Sequence, residues 1–218
     1  MAKNQSTEDY IKGIYQLQRM EATVTTSALA RLLGIGDGSV TGMIKKLSVR
    51  KLVRHEPYRG ISLTDAGMRL ALDMVRRHRL WEMFLVRYLG YRWDEIHDEA
   101  ERLEHATSDE LTRRLDKLLD YPVVDPHGDP IPDPSGTLRT TDSQALSSFD
   151  CDQVLRIVRV SDRHPDILHH AREVGLILNR KLIIRKKMKY DGSLLVKIGN
   201  KQRYISSRMA DAIFAERA

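Results

Sequence analysis

The segment from residue 25 to residue 63 restricts the fold more than any other part of this 218-residue chain. Thr25-Thr26-Ser27 offers hydroxyl groups that can cap a helix N-terminus, and Ala28, Leu32 and Leu33 follow at helical spacing until Gly34 ends the run. A second short helix is predicted from Asp37 or Gly38 through Val40, Ile44 and Leu47 to Val49. Two short helices divided by a glycine-containing turn form the helix-turn-helix pattern. Residues 52–55 read as a strand, 57–60 as a turn and 61–63 as the returning strand, so a two-stranded wing follows the helix pair. Ahead of it, Ser6-x-x-Asp9 resembles a capping box that starts a helix carrying Tyr10, Ile11, Ile14 and Leu17.

Downstream, Thr64-Asp65 caps a long helix with Ala66, Leu70, Leu72, Val75, Leu80, Phe84 and Leu85 on its apolar side, stopping at Gly90. Further helices are predicted from Trp93 to Thr107 and from Ser108 to Leu119. Residues 121–136 hold most of the chain's seven prolines and read as irregular structure, and the polar stretch 137–148 reads as a linker. The period then changes to two. Strands are expected at 154–160, 182–190, 193–198 and 202–205, a helix at 165–174, and a tight hairpin at Asp191-Gly192. Short strands joined by tight turns suggest a small closed β-barrel. The chain is therefore expected to be mainly α with α+β parts.

Composition narrows the setting. With 41% hydrophobic residues the chain can bury a core, and no apolar run approaches the roughly 20 residues of a membrane span. The lone Cys151 excludes a disulfide framework and fits a cytoplasmic location. The net charge is +6, with a pI near 9.4. Residues 1–63 carry ten basic against five acidic groups, residues 64–148 eleven against seventeen, and residues 149–218 fifteen against eight. A basic–acidic–basic succession argues for separate functional parts, and nucleic acid is the first partner to consider.

The chemistry-bearing residues are histidines and carboxylates at helical spacing. His97, Glu101, Glu104 and His105 stand at i, i+4, i+7 and i+8, which places them on one helical face; His78 and Glu82 repeat the i, i+4 spacing on the preceding helix. Mixed imidazole and carboxylate donors suit divalent manganese, iron, cobalt or zinc. The alternative is that these are solvated surface groups. His55, His127, His169 and His170 have no comparable setting and read as surface residues. Phosphate-binding loops, nucleophile elbows and His-Glu-x-x-His pairs are absent, and Cys151 has no partner that would make it a nucleophile, so the chain is not expected to be an enzyme. A metal-binding hydrolase or storage protein is the competing reading, and it leaves the helix-turn-helix unexplained.

Through these residues the chain resembles the diphtheria-toxin-repressor family of iron- and manganese-dependent regulators. The resemblance runs over residues 6–218. It rests on Glu8-Asp9-Tyr10-Ile11, Gly38-Ser39-Val40-Thr41, Tyr58-Arg59-Gly60, Arg77-His78-Arg79-Leu80-Trp81-Glu82, Trp93-Asp94-Glu95-Ile96-His97, Glu101-Arg102-Leu103-Glu104-His105 and Pro126-His127-Gly128-Asp129-Pro130-Ile131-Pro132. It implies an N-terminal winged helix-turn-helix DNA-binding domain (1–63), a helical dimerisation and metal-binding domain (64–136), the linker (137–148) and an SH3-like domain (149–218). It also implies a homodimeric repressor of metal-uptake genes that binds double-stranded operator DNA and has no small-molecule substrate.

The family's primary metal site maps onto Asp9, Glu101, Glu104 and His105, with His78 joining, and its ancillary site onto His78, Glu82 and His97. Carboxylates stand at Asp9 and Glu101 where iron-responsive members carry sulfur, which favours Mn2+, with Fe2+ the alternative. Lys12 departs from the pattern, since manganese-responsive members can have a carboxylate ligand there. Asp162 and His164 are the barrel's candidate ligands and read as exposed helix-cap residues. On the recognition helix, Ser39 and Thr41 are the expected base-edge contacts and Lys45 and Lys46 the phosphate contacts, with Tyr58 and Arg59 reaching DNA from the wing. Gly42 leaves direct readout sparse. Without metal, Asp9, Glu101 and Glu104 would crowd like charges; an ion relieves this and ties the first helix to the dimerisation helices.

Overall fold

The computed structural model describes residues 2–20, 23–56, 59–162 and 165–218. Two compact units are present: Met1–His78 with Glu101–Thr112 and Pro132–Thr137, and Arg79–Ala100 with Arg113–Ile131 and Leu138–Ala218.

In the first unit, α1 (Ala2–Gln18) precedes α2 (Thr26–Leu33) and α3 (Asp37–Val49). Thr25 accepts the Ala28 N–H at 3.0 Å, and Gly34 closes α2 in the left-handed region with φ 66°. Ser6 lies inside α1 and does not cap it, because the helix starts at Ala2 and the Asp9 carboxylate turns to His105 instead. Strands β1 (Val53–Glu56) and β2 (Gly60–Leu63) pair antiparallel, with Val53 opposite Leu63 and Glu56 opposite Gly60. The Ile61 N–H reaches the Val24 carbonyl at 2.9 Å and fastens this wing to the entry of α2. Ile11, Ile14, Leu29, Val40, Ile44, Leu47, Val53 and Ile61 form the buried core of this region. At about 1.5–3 kcal/mol per buried side chain, their burial holds together helices too short to persist alone. Tyr58 lies outside the described residues.

Helix α4 (Asp65–Leu89) begins where Thr64 Oγ1 accepts the Gly67 N–H at 3.1 Å. Helix α5 (His97–Glu104) is shorter than expected. Residues 93–95 form a turn closed by Glu95 N–H to Arg92 O at 2.9 Å, and the Asp94 carboxylate is taken by Arg92, Arg172 and His169 and does not cap the helix. Helix α6 (Asp109–Leu118) is capped by Ser108, whose Oγ accepts the Leu111 N–H.

In the second unit, Leu80, Met83, Leu115, Leu119 and Ile131 form one apolar cluster. A larger one underlies a six-stranded antiparallel sheet. Its elements are β3 (Gln144–Ala145), β4 (Val154–Val160), α7 (Pro165–Val174), β5 (Lys181–Lys187), β6 (Leu194–Ile198), β7 (Lys201–Ile205), α8 (Ser207–Ala212) and β8 (Ile213–Arg217). The strand order is β3-β8-β4-β5-β6-β7. The end of the expected linker is structured, because Gln144–Ala145 pairs with β8 and Leu146 is fully buried. Helix α8 and β8 were not foreseen; Ser206 caps α8 and Ile213 and Ala215 are buried. Among the described residues, no helix is long and apolar enough to cross a membrane.

Candidate metal centres

Helical spacing places Asp9 and Lys12 one turn apart on α1, and Glu101 and Glu104 one turn apart on α5, just before His105. In the first unit these residues meet His78. His105 Nε2 lies 3.0 Å from Asp9 Oδ1, and its Nδ1 lies 2.8 Å from Glu8 Oε2. Glu104 is fully buried; its Oε2 accepts from His78 Nδ1 at 2.5 Å. Lys12 reaches in with Nζ 2.6 Å from Glu101 Oε2 and 2.8 and 2.9 Å from the two oxygens of Glu104. Burial works against this ammonium, and the Glu104 and Glu101 charges with their hydrogen bonds outweigh it, so Lys12 titrates above the usual lysine range. Burial raises Asp9 above the usual carboxylate range; His105 opposes the rise, and the Glu101 and Glu104 charges add to it.

This first cluster fits a metal only in part. Donor atoms of Asp9, Glu101 and His105 lie within 4.8 Å of one another and can hold a cation. One Glu101 oxygen and both Glu104 oxygens already accept from Lys12, and one Glu104 oxygen accepts from His78 as well.

A second cluster stands in the other unit, at a place where the sequence suggested only surface. His127 is 1% exposed, which corrects its reading as a surface residue. The loop that carries it is fixed from several sides. Asp125 Oδ1 accepts the N–H groups of His127 and Asp129 at 2.8 and 2.9 Å, and Arg79 Nε lies 3.2 Å from Asp125 Oδ2. Arg79 also donates to the Pro130 carbonyl, and the Val160 N–H donates to the His127 carbonyl at 2.9 Å. Gly128 is required here: its φ is +89°, and a Cβ would come within 2.1 Å of the Val158 carbonyl oxygen.

His127 Nε2 lies 2.7 Å from the Trp93 carbonyl oxygen. A carbonyl only accepts, so Nε2 carries the proton, and a neutral imidazole then presents a bare lone pair at Nδ1. That Nδ1 is buried and has no hydrogen-bond partner. Donor atoms of Glu82, Asp125 and His127 all lie within 4.8 Å of one another, and all three residues are buried. Burial, with the Glu82 charge adding, pushes the Asp125 carboxyl up to about 7 against the pull of Arg79. Burial also acts on His127, but the Glu82 and Asp125 charges outweigh it and raise its pKa. Two buried carboxylates and an imidazole with an unused lone pair suit a divalent ion with hard and borderline donors.

Of the expected ancillary trio, His78 belongs to the first cluster and Glu82 to the second. His97 is half exposed, with Nδ1 3.9 Å from Glu82 Oε1. Asp162 is partly buried, not exposed, and its charge raises the pKa of His127. His164 lies outside the described residues. Asp125 and His127 were missed, although Asp125-x-His127 in a proline-rich loop, taken with the buried-face Glu82, was the signal available.

On α3, Val40, Ile44 and Leu47 are buried while Ser39, Thr41, Lys45 and Lys46 are exposed, so one helix presents an apolar face to the core and a polar, basic one to solvent. Thr41 Oγ1 donates to the Asp37 carbonyl and keeps its lone pairs for a donor. Arg59 extends into solvent from the wing, its nearest carboxylate being Glu56 at 3.5 Å.

Three family descriptions match in order along the chain: "Iron dependent repressor, N-terminal DNA binding domain" over residues 4–61, "Iron dependent repressor, metal binding and dimerisation domain" over 64–133, and "FeoA domain" over 144–217. A solved structure described as a manganese-dependent transcriptional repressor in complex with manganese is 38% identical, covers 97% of this chain and 100% of its own, and superposes with a TM-score of 0.89. The chain belongs to the diphtheria-toxin-repressor family. The iron-dependent repressor IdeR of Mycobacterium tuberculosis is 28% identical over 229 residues, covering 97% of each chain. A crystal structure of ScaR with bound Zn2+ is 33% identical, covers 97% of this chain and 99% of its own, and has a TM-score of 0.82. These three relatives are similar to this chain over 97% of its length, and both manganese- and iron-named proteins stand among them.

Proposed function

We propose that this protein is a metal-dependent transcriptional repressor that binds double-stranded operator DNA as a homodimer, with manganese as its ion and iron(II) as the alternative. One observation carries the reading: His127, whose buried Nδ1 has no hydrogen-bond partner, brings a donor atom within 4.8 Å of those of Glu82 and Asp125, in a chain whose α3 exposes Ser39, Thr41, Lys45 and Lys46. Glu82, Asp125 and His127 would hold an ion in the second unit, and Asp9, Glu101 and His105 would hold another in the first. A bound ion supplies positive charge where buried carboxylates otherwise face one another. Trp93 fixes the His127 tautomer through its carbonyl, and Arg79 orients Asp125. On DNA, Ser39 and Thr41 read base edges, Lys45 and Lys46 meet phosphates, and Tyr58 and Arg59 reach from the wing.

Homodimerisation is supported by apolar surface in the helical region. Tyr88, Leu89, Leu118, Tyr121 and Val123 are each about half exposed, and the Tyr88 hydroxyl bonds the Leu118 carbonyl, so the α4 and α6 parts of this surface are contiguous. The domain scheme follows the same reading: DNA binding in 1–63, dimerisation and metal binding in 64–136, and an SH3-like closed barrel in 149–218. The setting is the cytoplasm, and no catalytic step is assigned. Electrophoretic retardation of upstream DNA from metal-uptake genes, titrated with manganese, iron(II) and zinc, tests the proposal. Retardation that needs the metal supports it; retardation unchanged by chelator leaves a DNA-binding protein without metal control, and no retardation returns the hydrolase or storage reading.

A further inference from the structure

We infer that the Lys12 ammonium is a resident cation of the first cluster, taking the place of a second ion between Glu101 and Glu104 and tying α1 to α5 without metal. The ammonium has three hydrogens, and three carboxylate oxygens lie within 2.9 Å of it: one from Glu101 and both from Glu104. Its donor capacity is filled. Glu104 is equally committed, because each of its oxygens accepts from Lys12 and one also accepts from His78. An ion bridging Glu101 and Glu104 would have to share these oxygens with the ammonium, at a separation where two positive charges repel. Asp9, Glu101 and His105, which share contacts with Lys12 and one another, still bring donor atoms within 4.8 Å of each other, room for one ion.

Lys12 is on the helix that carries Ile11 and Ile14 into the core beneath α2 and α3, and Glu101 and Glu104 are on α5. A flexible but covalently attached cation therefore does permanently what an exchangeable ion would do only when bound. Lys12 and Glu104 are 6% and 0% exposed, so solvent does not screen their contact and removing the charge takes a cation from the buried Glu104 carboxylate. Lys12 is thus a positioning residue, and the metal response of the first cluster is limited to one ion. The inference rests on the metal-site reading above but makes a claim that needs no DNA and no bound metal.

The test is amide hydrogen exchange of the full-length chain in chelator, read over residues 10–17 of α1, with wild type, Lys12→Met and Lys12→Arg. Wild type and Lys12→Arg are expected to keep α1 protected, and Lys12→Met to exchange on the order of 10-fold faster or more. Adding manganese chloride to Lys12→Met should restore protection. Equal protection of wild type and Lys12→Met in chelator overturns the inference. If Lys12→Met does not fold, the manganese count decides. A chain with the second cluster removed by Glu82→Gln and Asp125→Asn should bind one ion with an uncoupled electron paramagnetic resonance signal. A spin-coupled manganese pair in that chain would refute the resident-cation assignment whatever the DNA experiments show.

Discussion

The Trp93 carbonyl oxygen and His127 Nε2 stand 2.7 Å apart, and this contact decides which imidazole nitrogen can bind a metal. It leaves Nδ1, buried and without a hydrogen-bond partner, as the nitrogen open to an ion, in a residue whose donor atom lies within 4.8 Å of those of Glu82 and Asp125. Replacing His127 by Gln is expected to remove metal-dependent operator binding at manganese concentrations that saturate wild type. Isothermal titration should show the loss of one ion per chain. An unchanged ion count would move the centre away from the loop.

Asp125 gives the complementary result. In the metal-free chain its charge is held beside Glu82 and Asp129 with Arg79 as the compensating cation, and burial raises its pKa. Asp125→Asn keeps an oxygen for the His127 and Asp129 N–H groups and removes one negative charge. The variant should therefore melt at a temperature equal to or above that of wild type in chelator, and gain less from manganese. A melting point well below wild type in chelator would mean that Asp125 is a structural anchor first.

Glu104 tests the Lys12 contact by its absence. Truncating one partner of a buried ion pair typically costs about 3–5 kcal/mol, because the other charge stays buried alone. Glu104→Ala should lose stability on that scale in urea denaturation, equally with and without chelator, whereas His105→Ala should lose metal-dependent DNA binding with a smaller stability change. A Glu104→Ala defect that appears only with manganese and vanishes in chelator would show that the ion, not Lys12, is the partner of Glu104.

These contrasts show what the sequence could and could not disclose. The helix-turn-helix and wing were legible because local signals agree with tertiary burial: Thr25 and Gly34 cap α2, and Val40, Ile44 and Leu47 recur on one face of α3. Six ligand candidates, His97, Glu101, Glu104 and His105 in and just after α5 and His78 and Glu82 on the preceding helix, were legible as spacing. The partners of those residues were not, since spacing along a helix says nothing about Lys12 coming from a helix 89 residues earlier to meet Glu101. His127 was misread for a related reason: a proline-rich loop looks solvated in sequence, and only the Val160, Arg79 and Trp93 contacts bury it. Helix α8 and β8 were hidden because their residues mix polar and apolar types at neither clean period.

Operator affinity should fall steeply with salt, since exposed Lys45, Lys46 and Arg59 would displace counterions from phosphates. Each phosphate contact contributes a slope of about 0.9 in log affinity against log salt. Lys46→Ala should lower the slope by roughly that amount and weaken all operator sequences alike. A change in sequence preference would make Lys46 a base reader.

Metal choice separates the two clusters. Asp9 and Glu101 are oxygen donors with donor atoms close to His105, and oxygen favours manganese over softer ions by ligand type although intrinsic affinity runs the other way. Asp9→Met with Glu101→Cys replaces two hard donors by sulfur and removes two negative charges. It also takes one of the three carboxylate oxygens from Lys12, leaving both Glu104 contacts in place. The double variant should therefore hold its fold, lose manganese retention at the first cluster, and respond at lower free concentrations of iron(II), cobalt or zinc. Operator binding measured against each buffered free metal, for wild type and variant, gives the ranking. If the ranking does not move, selectivity is set by Glu82, Asp125 and His127, whose donors the substitutions leave untouched, and the same titration on Asp125→Cys should then shift it.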